Sequence, residues 1–431
     1  MPAIHNGIGT TFRSQAFGGA PSVNPDFVST WDTTKTSSGS STSTQVKLPL
    51  LSSGIYNFDV DWGDGNTDTI TVWNQPEVTH TYSSSGIYTI TISGQIDGWA
   101  FVYGGDRLKI SNISNWGSFS FKGTTNTSRH FDGCQNLTIT AADAPNINTT
   151  SLEASFRDCD SFTTEDFSNW DTSTVTSMLQ TFQNCNNFNG NVSGWVHSGV
   201  LNTSTMFSGC PLFNNSSVQS FDMSGVTNIS RMFSGATAFN QDLDMWDVGN
   251  VTNWNEFMRG ASSFNSSLAG WTVKGSFNEL AFGSTMTNFT GIGLDTWNTT
   301  GLTSLRNAFA NGPVFNPDIS GWDVSNVTSM ELAFTNCDSF NRDLSTWDIT
   351  SVSNFTNFMA NATGLSTVNY DALLVGWEAT LQATWAGGTG YPYTINIHFG
   401  GSKYTGGGAA DAARASLITN FGWTITDGGS V

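Results

Sequence analysis

The sequence GWDVSNVTSMELAFTNCDSFNRDLSTW, residues 321–347, is the clearest copy of a unit that recurs along most of this chain. Its two tryptophans, Trp322 and Trp347, lie 25 residues apart. The same aromatic column extends toward the N-terminus at steps of 25 or 26 residues, through Trp170, Trp195, Phe221, Trp246, Trp271, Trp297, Trp322 and Trp347. Self-similarity at a fixed period of this size is typical of repeat proteins.

Two further columns keep the same register. An asparagine that follows phenylalanine recurs at Asn189, Asn214, Asn240, Asn265, Asn316 and Asn341. Cysteine recurs at Cys134, Cys159, Cys185, Cys210 and Cys337. The cysteine column passes through Ala236, Ala261 and Ala362, which indicates a position that needs a small apolar side chain.

A single 25-residue unit is too small to bury its aromatic side alone, so the units are expected to stack into one continuous core. Within a unit we expect an extended run at 322–327, then a short helix near Ser329–Asn336 with Thr328 or Ser329 as its N-cap. This pattern predicts a leucine-rich-repeat-type solenoid of about ten coils over residues 105–365.

The polar and thiol columns each allow two interpretations. A repeated inward asparagine can bond the backbone of its own coil and of the next, and sugar binding is the alternative. We favour the structural ladder because the column varies so little. For the cysteines we favour buried free thiols over zinc ligands, since no closely spaced Cys pair is present.

Composition and charge exclude several classes of function. Only 11% of the residues are charged and the net charge is −19. Binding to nucleic acid or to anionic lipid through phosphates requires the opposite sign. No apolar run approaches the roughly 20 residues that a membrane-spanning helix needs.

Residues 27–104 follow a different pattern. Apolar and polar residues alternate at 56–60 and 87–92, with turns between them, which predicts a β-sandwich. The segments Asp61-Trp62-Gly63-Asp64-Gly65, His80-Thr81-Tyr82 and Gly86-Ile87-Tyr88 resemble a PKD (polycystic kidney disease-type) domain, which implies an immunoglobulin-like spacer or adhesion module.

The acidic turn of this module invites a calcium interpretation. Asp59, Asp61, Asp64, Asn66 and Asp68 follow one another closely. Their spacing does not match a calcium-binding helix-loop-helix, which also needs a Glu at its twelfth position. We favour a solvated turn, with a calcium site near Asp61 and Asp64 as the alternative.

The repeat resembles BspA-like leucine-rich-repeat surface proteins. The pattern W-D-V-S-N-V-T-S-M, a turn with phenylalanine, and F-N-x-D-L-S-x-W carries this resemblance over about residues 130–365. The resemblance implies a curved solenoid with an exposed binding surface, adhesive or recognition roles, and no catalytic residues. It also implies that residues 366–431 are a C-terminal α/β cap, in which we expect helices near 370–377 and 409–420 and strands near 393–399 and 423–426.

No motif for a nucleophile, a phosphate loop or a metal ligand set is visible, so we expect no enzymatic activity, no cofactor and no metal. A catalytic pair of carboxylates that meets only in the fold is left open by the sequence.

Met1 is not followed by the basic and apolar segments of a secretory signal. We therefore expect a non-enzymatic phage virion surface protein (a decoration, head fibre or tail appendage) that attaches to host glycans or receptors. Residues 1–26 and the sandwich would dock onto other virion proteins, and a homo-oligomer is compatible with this role. The alternatives are a bacterial cell-surface adhesin and, third, a polysaccharide-degrading spike.

Overall fold

The computed structural model describes residues 26–122, 128–276 and 286–431. The described chain is mainly β with few short helices, as the sequence predicts. The docking arm assigned to residues 1–26 lies outside the described residues, apart from Asp26. None of the helices described is long and apolar enough to span a membrane.

The N-terminal part contains seven strands in two sheets. They are β1 (Phe27–Asp32), β2 (Gln45–Lys47), β3 (Leu50–Asp61), β4 (Thr67–Ile70), β5 (Thr79–Thr81), β6 (Ile87–Trp99) and β7 (Ile110–Asn115). The large sheet has the order β4-β3-β6-β1-β7, with antiparallel neighbours, and β2 pairs with β5 in a small second sheet. The strands predicted at 56–60 and 87–92 are therefore confirmed within β3 and β6. Their inward side chains, such as Phe58 and Ile90, are buried.

The large sheet continues into the repeats without a break. Strand β7 pairs in parallel with β8 (Thr138–Ile139), one repeat further along the chain. The first turn of the stack is thus an added strand of the N-terminal sheet, and the sheet crosses the expected boundary at residue 104. The two parts of the chain share one hydrogen-bonded layer and one hydrophobic core.

Along the repeats, each coil lies beside the next in parallel register. Single parallel bridges connect Ser151, Ser177, Asn202, Asn228, Asn253 and Ser276 in turn, and then Ser304, Ser329 and Asn354. Between these two runs, β9 (Thr272–Ser276) pairs in parallel with β10 (Asn298–Ser304). Adjacent coils are therefore about 4.8 Å apart, the spacing of neighbouring β-strands.

The helix expected at 329–336 is wrong. This side of the coil consists of turns, in which Leu332 and Asn336 adopt left-handed backbone conformations with φ of 58°. The N–H groups of Leu332, Phe334 and Asn336 donate to carbonyls of the next coil, over 2.8 to 3.0 Å. Because these donors are satisfied between coils, the segment has no need of the i→i−4 bonds that define a helix. With no helix there, the expected N-cap at Thr328 or Ser329 is also wrong, and the Ser329 Oγ accepts from the N–H of Glu331 within a turn.

The C-terminal segment closes the last coil. It comprises α1 (Thr367–Thr384), β11 (Asn396–His398), α2 (Ala409–Thr419) and β12 (Thr424–Thr426), so the predicted helices and strands are confirmed. Ser366 is the N-cap of α1 and accepts a bond from the N–H of Asn369. The carbonyl of His398 in β11 accepts a hydrogen bond from the N–H of Met359, and β11 pairs in parallel with β12. These two strands add two layers to the stack. Short 3-10 helices lie at Pro76–Val78, Ser216–Ser220, Leu294–Thr296 and Ala386–Gly388.

Candidate functional site

The aromatic column lies inside the stack and holds neighbouring coils together. Its eight members are exposed by 6% or less. The rings of Trp271 and Trp297 are stacked with centroids 5.6 Å apart, and those of Trp297 and Trp322 with centroids 5.5 Å apart. From Trp195 onward each tryptophan donates its Nε1–H to a carbonyl 28 or 29 residues earlier, over 2.6 to 3.1 Å. The column therefore supplies both packing and hydrogen bonds between coils.

The asparagine column forms a hydrogen-bonded ladder at the surface. Asn189 accepts from the N–H of Asn214, Asn214 from that of Asn240, and Asn240 from that of Asn265, each through Oδ1 over 2.8 to 2.9 Å. The same bond joins Asn316 to the N–H of Asn341 over 3.0 Å. These side chains are half-buried or exposed, whereas the sequence analysis placed them inside.

The cysteine column lies in the core. All five thiols are free and buried, and four of them donate from Sγ to a carbonyl 28 or 29 residues earlier. Burial raises the pKa of Cys210 and of Cys337 to about 12, so both thiols are protonated at neutral pH. Neutral buried thiols of this kind are neither nucleophiles nor metal ligands.

Two rows of exposed polar groups recur in most of the coils, and together we call them the display face. Its carboxylates stand directly after the aromatic column, at Asp171, Asp222, Asp247, Asp323 and Asp348. Each accepts from the backbone N–H two residues later, as Asp323 does from Ser325 over 3.0 Å. Hydrogen bonds from the Ser325 side chain and backbone lower the pKa of Asp323, which keeps it charged. These carboxylates are exposed but held in fixed orientations.

Hydroxyl groups form the second row of the display face, five residues after the carboxylates. This row consists of Thr176, Thr227, Thr252, Thr303, Thr328 and Ser353, all exposed. The hydroxyl of Thr227 donates to the carbonyl of Leu201 in the preceding coil, which also accepts the Thr227 N–H. The hydroxyl oxygens are thereby fixed about 4.8 Å apart, the separation of adjacent coils. The carboxylate is replaced by Val196, Thr272 and Asn298 in the coils of Trp195, Trp271 and Trp297, and the hydroxyl by Leu201 in the first of these, so the display face is interrupted there.

Aromatic side chains contribute little to the surface of the stack. Among the described residues, the large exposed aromatics are Trp73 and Tyr103, each 44% exposed and both outside the display face. The exposed apolar residues of the repeats, such as Leu201, Leu212 and Met245, are scattered singly. The stack therefore offers hydroxyl, amide and carboxylate groups rather than stacking platforms.

In the acidic turn of the N-terminal part, the aspartate carboxylates accept hydrogen bonds from neighbouring groups. Asp61 accepts from the N–H of Gly63, while Asp64 accepts from Asn66 and contacts His80 Nε2 at 2.9 Å. Burial alone would raise the pKa of Asp64, but the hydrogen bonds from His80 and Asn66 lower it. Within residues 26–122, 128–276 and 286–431 no group of three or more His, Cys, Asp or Glu is arranged to hold a metal ion.

One histidine–serine pair resembles part of a catalytic dyad. His130 Nδ1 lies 3.2 Å from Ser155 Oγ. Both residues are buried, with exposures of 2% and 0%, and burial lowers the pKa of His130 to about 3. Buried in this way, the pair contributes packing and a hydrogen bond to the core.

A cleft of about 560 Å³ lies where the N-terminal sheet meets the first coils. Gln95, Asn146 and Asn148 line it with exposed amides. On one wall, Asp97 is paired with Lys122 Nζ at 3.0 Å and accepts from Gln95 Nε2 at 2.7 Å. The sequence does not predict this cleft, because its lining residues are spread from Asp26 to Asn148 and share no motif.

A buried lysine joins the loop before β2 to the start of the repeats. Lys109 Nζ donates to the carbonyls of Ser41, Thr42 and Gln45 over 2.8 to 3.0 Å, and lies 3.3 Å from Asp106. Both charged side chains are fully buried. Asp106 in turn accepts from the N–H of Ser41 over 2.7 Å. The sequence analysis missed this pair as well.

These features define a repeat protein in which one 25-residue unit supplies both the core and an ordered polar surface. The model of a family described as Mycoplasma protein of unknown function, DUF285, matches residues 106–216, 191–279 and 275–377. Together these matches run from residue 106 to residue 377, or 272 of the 431 residues, and the chain belongs to this family. The match is consistent with the BspA-like resemblance of the repeats. Neither the curated proteins nor the solved structures include a match to the chain.

Proposed function

We propose that this chain is a non-enzymatic surface protein whose coils display a binding face for host glycans or receptors. The observation that supports it is the display face, where a carboxylate and a hydroxyl, each held by hydrogen bonds, recur together in five of the eight coils of the aromatic column. An ordered row of identical weak sites gains affinity from multivalency without any single strong contact. Because backbone hydrogen bonds already fix these groups, binding costs little conformational entropy.

For the architecture, we propose a leucine-rich-repeat-type solenoid behind an immunoglobulin-like, PKD-like sandwich. Parallel bridges at every coil and one inward aromatic column support the solenoid. The small sheet of β2 and β5, together with the stacked rings of Trp62 and His80, supports the sandwich. The sandwich would form the base of the protein, and the solenoid would project the display face away from that base.

The charge of the display face favours a neutral or basic ligand. Hydrogen bonds lower the pKa of Asp171, Asp222 and Asp323, so these three carboxylates are ionised at neutral pH, and the whole chain carries a charge of −19. Anionic polysaccharides would be repelled, and the repulsion would be strongest at low salt. A neutral glycan can accept hydrogen bonds from amides and donate its hydroxyls to the aspartate and threonine oxygens.

The test is binding of the intact chain to immobilised neutral and anionic glycans. We expect binding to neutral glycans that is lost in a triple variant, Thr227→Val, Thr252→Val and Thr328→Val, which keeps side-chain shape and removes the hydroxyls. The matched control is Thr237→Val with Thr346→Val, whose hydroxyls also donate to carbonyls of the preceding coil but lie off the display face. Equal loss in both variants, or no binding to any neutral glycan, would contradict the proposal.

For the biological setting, we propose a virion surface, with a bacterial cell-surface adhesin as the second candidate. The membership in a bacterial repeat family and the BspA-like pattern favour this second candidate. Mass spectrometry of purified particles and surface labelling of intact cells separate the two settings. Release of soluble sugars from host capsule or lipopolysaccharide by the chain would instead indicate a polysaccharide-degrading spike.

A further inference from the structure

The amide-lined cleft, where the N-terminal sheet meets the first coils, lies beside the second half of β6. Strand β1 pairs with β6 as far as Ile92, and β6 then continues beside β3. Gly94 permits this close approach, because its φ is 123° and a Cβ there would lie 2.5 Å from a carbonyl oxygen of β3. The next residues of β6 line the cleft together with Ser120 and Asn146, which a parallel bridge joins. Hydrogen-bonded backbone therefore supports the cleft from β6 and from the first coils.

Two polar side chains of the cleft are more than nine-tenths buried and keep unused hydrogen-bonding capacity. Asp97 and Ser120 are each 8% exposed, and both line the cleft. Oδ2 of Asp97 accepts from Lys122 and Gln95. Within the described parts of the chain, no hydrogen bond reaches Oδ1 of Asp97 or the hydroxyl of Ser120. Buried polar atoms in proteins are nearly always paired, so these two atoms indicate a position where a ligand binds.

The other polar groups of the cleft can both donate and accept. The side-chain amides of Asn146 and Asn148 are exposed and make no hydrogen bond to the described residues. Gln95 donates from Nε2 to Asp97 and keeps its Oε1 as an acceptor. Lys122 is 43% exposed, and its Nζ uses one N–H on Asp97. A ligand with donors and acceptors on neighbouring atoms satisfies these groups best.

We infer that the amide-lined cleft binds the end of a neutral saccharide. One sugar hydroxyl can donate to Oδ1 of Asp97, while its neighbour accepts from Lys122 Nζ or from an amide. The charges of Asp97 and Lys122 offset each other and Asp26 adds a further carboxylate, which disfavours an anionic ligand. None of the described lining residues is aromatic, so a flat aromatic ligand would find no stacking partner.

The size of the cleft suits a small sugar. Its volume of about 560 Å³ lies within the range of small-molecule sites. A hexose ring has about a dozen non-hydrogen atoms, and at the efficiency typical of small ligands this gives a Kd on the order of 1 mM. This second site takes the same class of ligand as the proposed function, and in that respect rests on it, but it uses no residue of the display face.

Saturation-transfer NMR of the intact chain with the methyl glycosides of neutral hexoses tests the cleft, because the method detects ligands of this affinity. We expect saturation transfer to at least one hexoside, and a titration gives its Kd. Ser120→Ala removes one neutral hydrogen bond and should raise this Kd about fivefold. Asp97→Asn removes the charged acceptor and should raise it at least about tenfold. Absence of saturation transfer to every hexoside, or equal Kd values in all three chains, would overturn the inference.

The matched control is Ser276→Ala, which removes another buried hydroxyl without a partner, in a later coil. It should leave the Kd unchanged. Neither serine hydroxyl has a hydrogen bond to lose within the described chain, so both variants should keep the urea midpoint of the natural chain. A loss of binding in Ser120→Ala together with a lowered urea midpoint would count against the cleft as a ligand site.

The triple variant of the display face, Thr227→Val with Thr252→Val and Thr328→Val, separates the two sites. It should retain hexoside binding in solution. Binding with a Kd near 1 mM dissociates during washing of an immobilised glycan, so the two assays report on different sites. Hexoside binding that is lost in the triple variant but kept in Ser120→Ala would place the site on the display face and overturn the inference. Retention in the triple variant with loss in Ser120→Ala would support the cleft even if the display face binds nothing.

Discussion

Replacement of Trp271 tests whether the aromatic column holds the stack together. The Trp271 ring is 1% exposed and lies between Trp246 and Trp297, with centroids 6.4 and 5.6 Å away. Its Nε1 donates to the carbonyl of Leu243 over 3.0 Å, and that carbonyl also accepts from the N–H of Trp246. Removing the indole therefore costs one hydrogen bond but leaves no buried acceptor without a donor.

The magnitudes follow from these contacts. In Trp271→Phe the stacked six-membered ring remains. The lost hydrogen bond lowers the free energy of unfolding by about 1 kcal/mol, and the loss of about 40 Å² of buried apolar surface lowers it by about 1 kcal/mol more. In Trp271→Ala the cavity costs roughly 3–5 kcal/mol, and the lost bond brings the total to about 4–6 kcal/mol. Phe221 already occupies this column, which shows that the site accommodates phenylalanine.

Urea unfolding followed by circular dichroism measures these differences, with comparison limited to variants that share one m-value. The control is Met245→Ala, next to Trp246 one repeat earlier, where the side chain is 83% exposed and the change should cost less than about 0.5 kcal/mol. If Trp271→Phe costs no more than this control, or Trp271→Ala costs less than about 2 kcal/mol, the aromatic column does not carry the stability assigned to it.

Three further predictions concern buried ionisable groups. Since the pKa of Cys337 is raised to about 12 in the folded chain but is about 8.5 when unfolded, stability should fall above about pH 8.5, by up to about 1.4 kcal/mol per pH unit for this thiol. Urea midpoints at about pH 8 and about pH 10 measure this slope, and Cys337→Ala should reduce it. Burial lowers the pKa of His130 to about 3, so the free energy of unfolding that this neutral imidazole contributes above about pH 6.5 should be lost as the pH falls toward 3. His130→Gln should flatten this acid profile. A profile that stays unchanged in the variant would refute the buried, neutral state of His130. Lys109→Met leaves the buried Asp106 carboxylate without its cation and should cost roughly 3–5 kcal/mol, whereas a loss below about 1 kcal/mol would contradict the buried pair.

The sequence predicted those features that depend on contacts repeated in every coil. The inward columns of Trp271 and Cys210 could be found because stacking forces the same residue type to recur at the same position. Strands β3 and β6 were visible because one side of each is buried and the other is not, which produces alternation. In the cap, the apolar spacing of Leu373, Leu374 and Trp377 marked α1 in the same way.

The remaining features depend on contacts between coils that no local pattern records. Residues 329–336 have a helix-like sequence, but the carbonyls of the next coil take up their N–H groups, and Leu332 becomes left-handed. The surface position of Asn240 follows from the same geometry, since its Oδ1 reaches the neighbouring backbone from outside. The Lys109–Asp106 pair and the amide-lined cleft could not be found, because each joins residues brought together only by the fold.

The regular step from coil to coil makes the repeat region a molecular ruler. In the described repeats, parallel bridges join each coil to the next, so a duplication or deletion of one 25-residue unit would leave equivalent bridges on both sides. Such an event would change the distance between the N-terminal sheets and the C-terminal helices by about 4.8 Å and leave both ends intact. Gain or loss of whole repeats during evolution could therefore change the length of this protein in small, nearly equal steps.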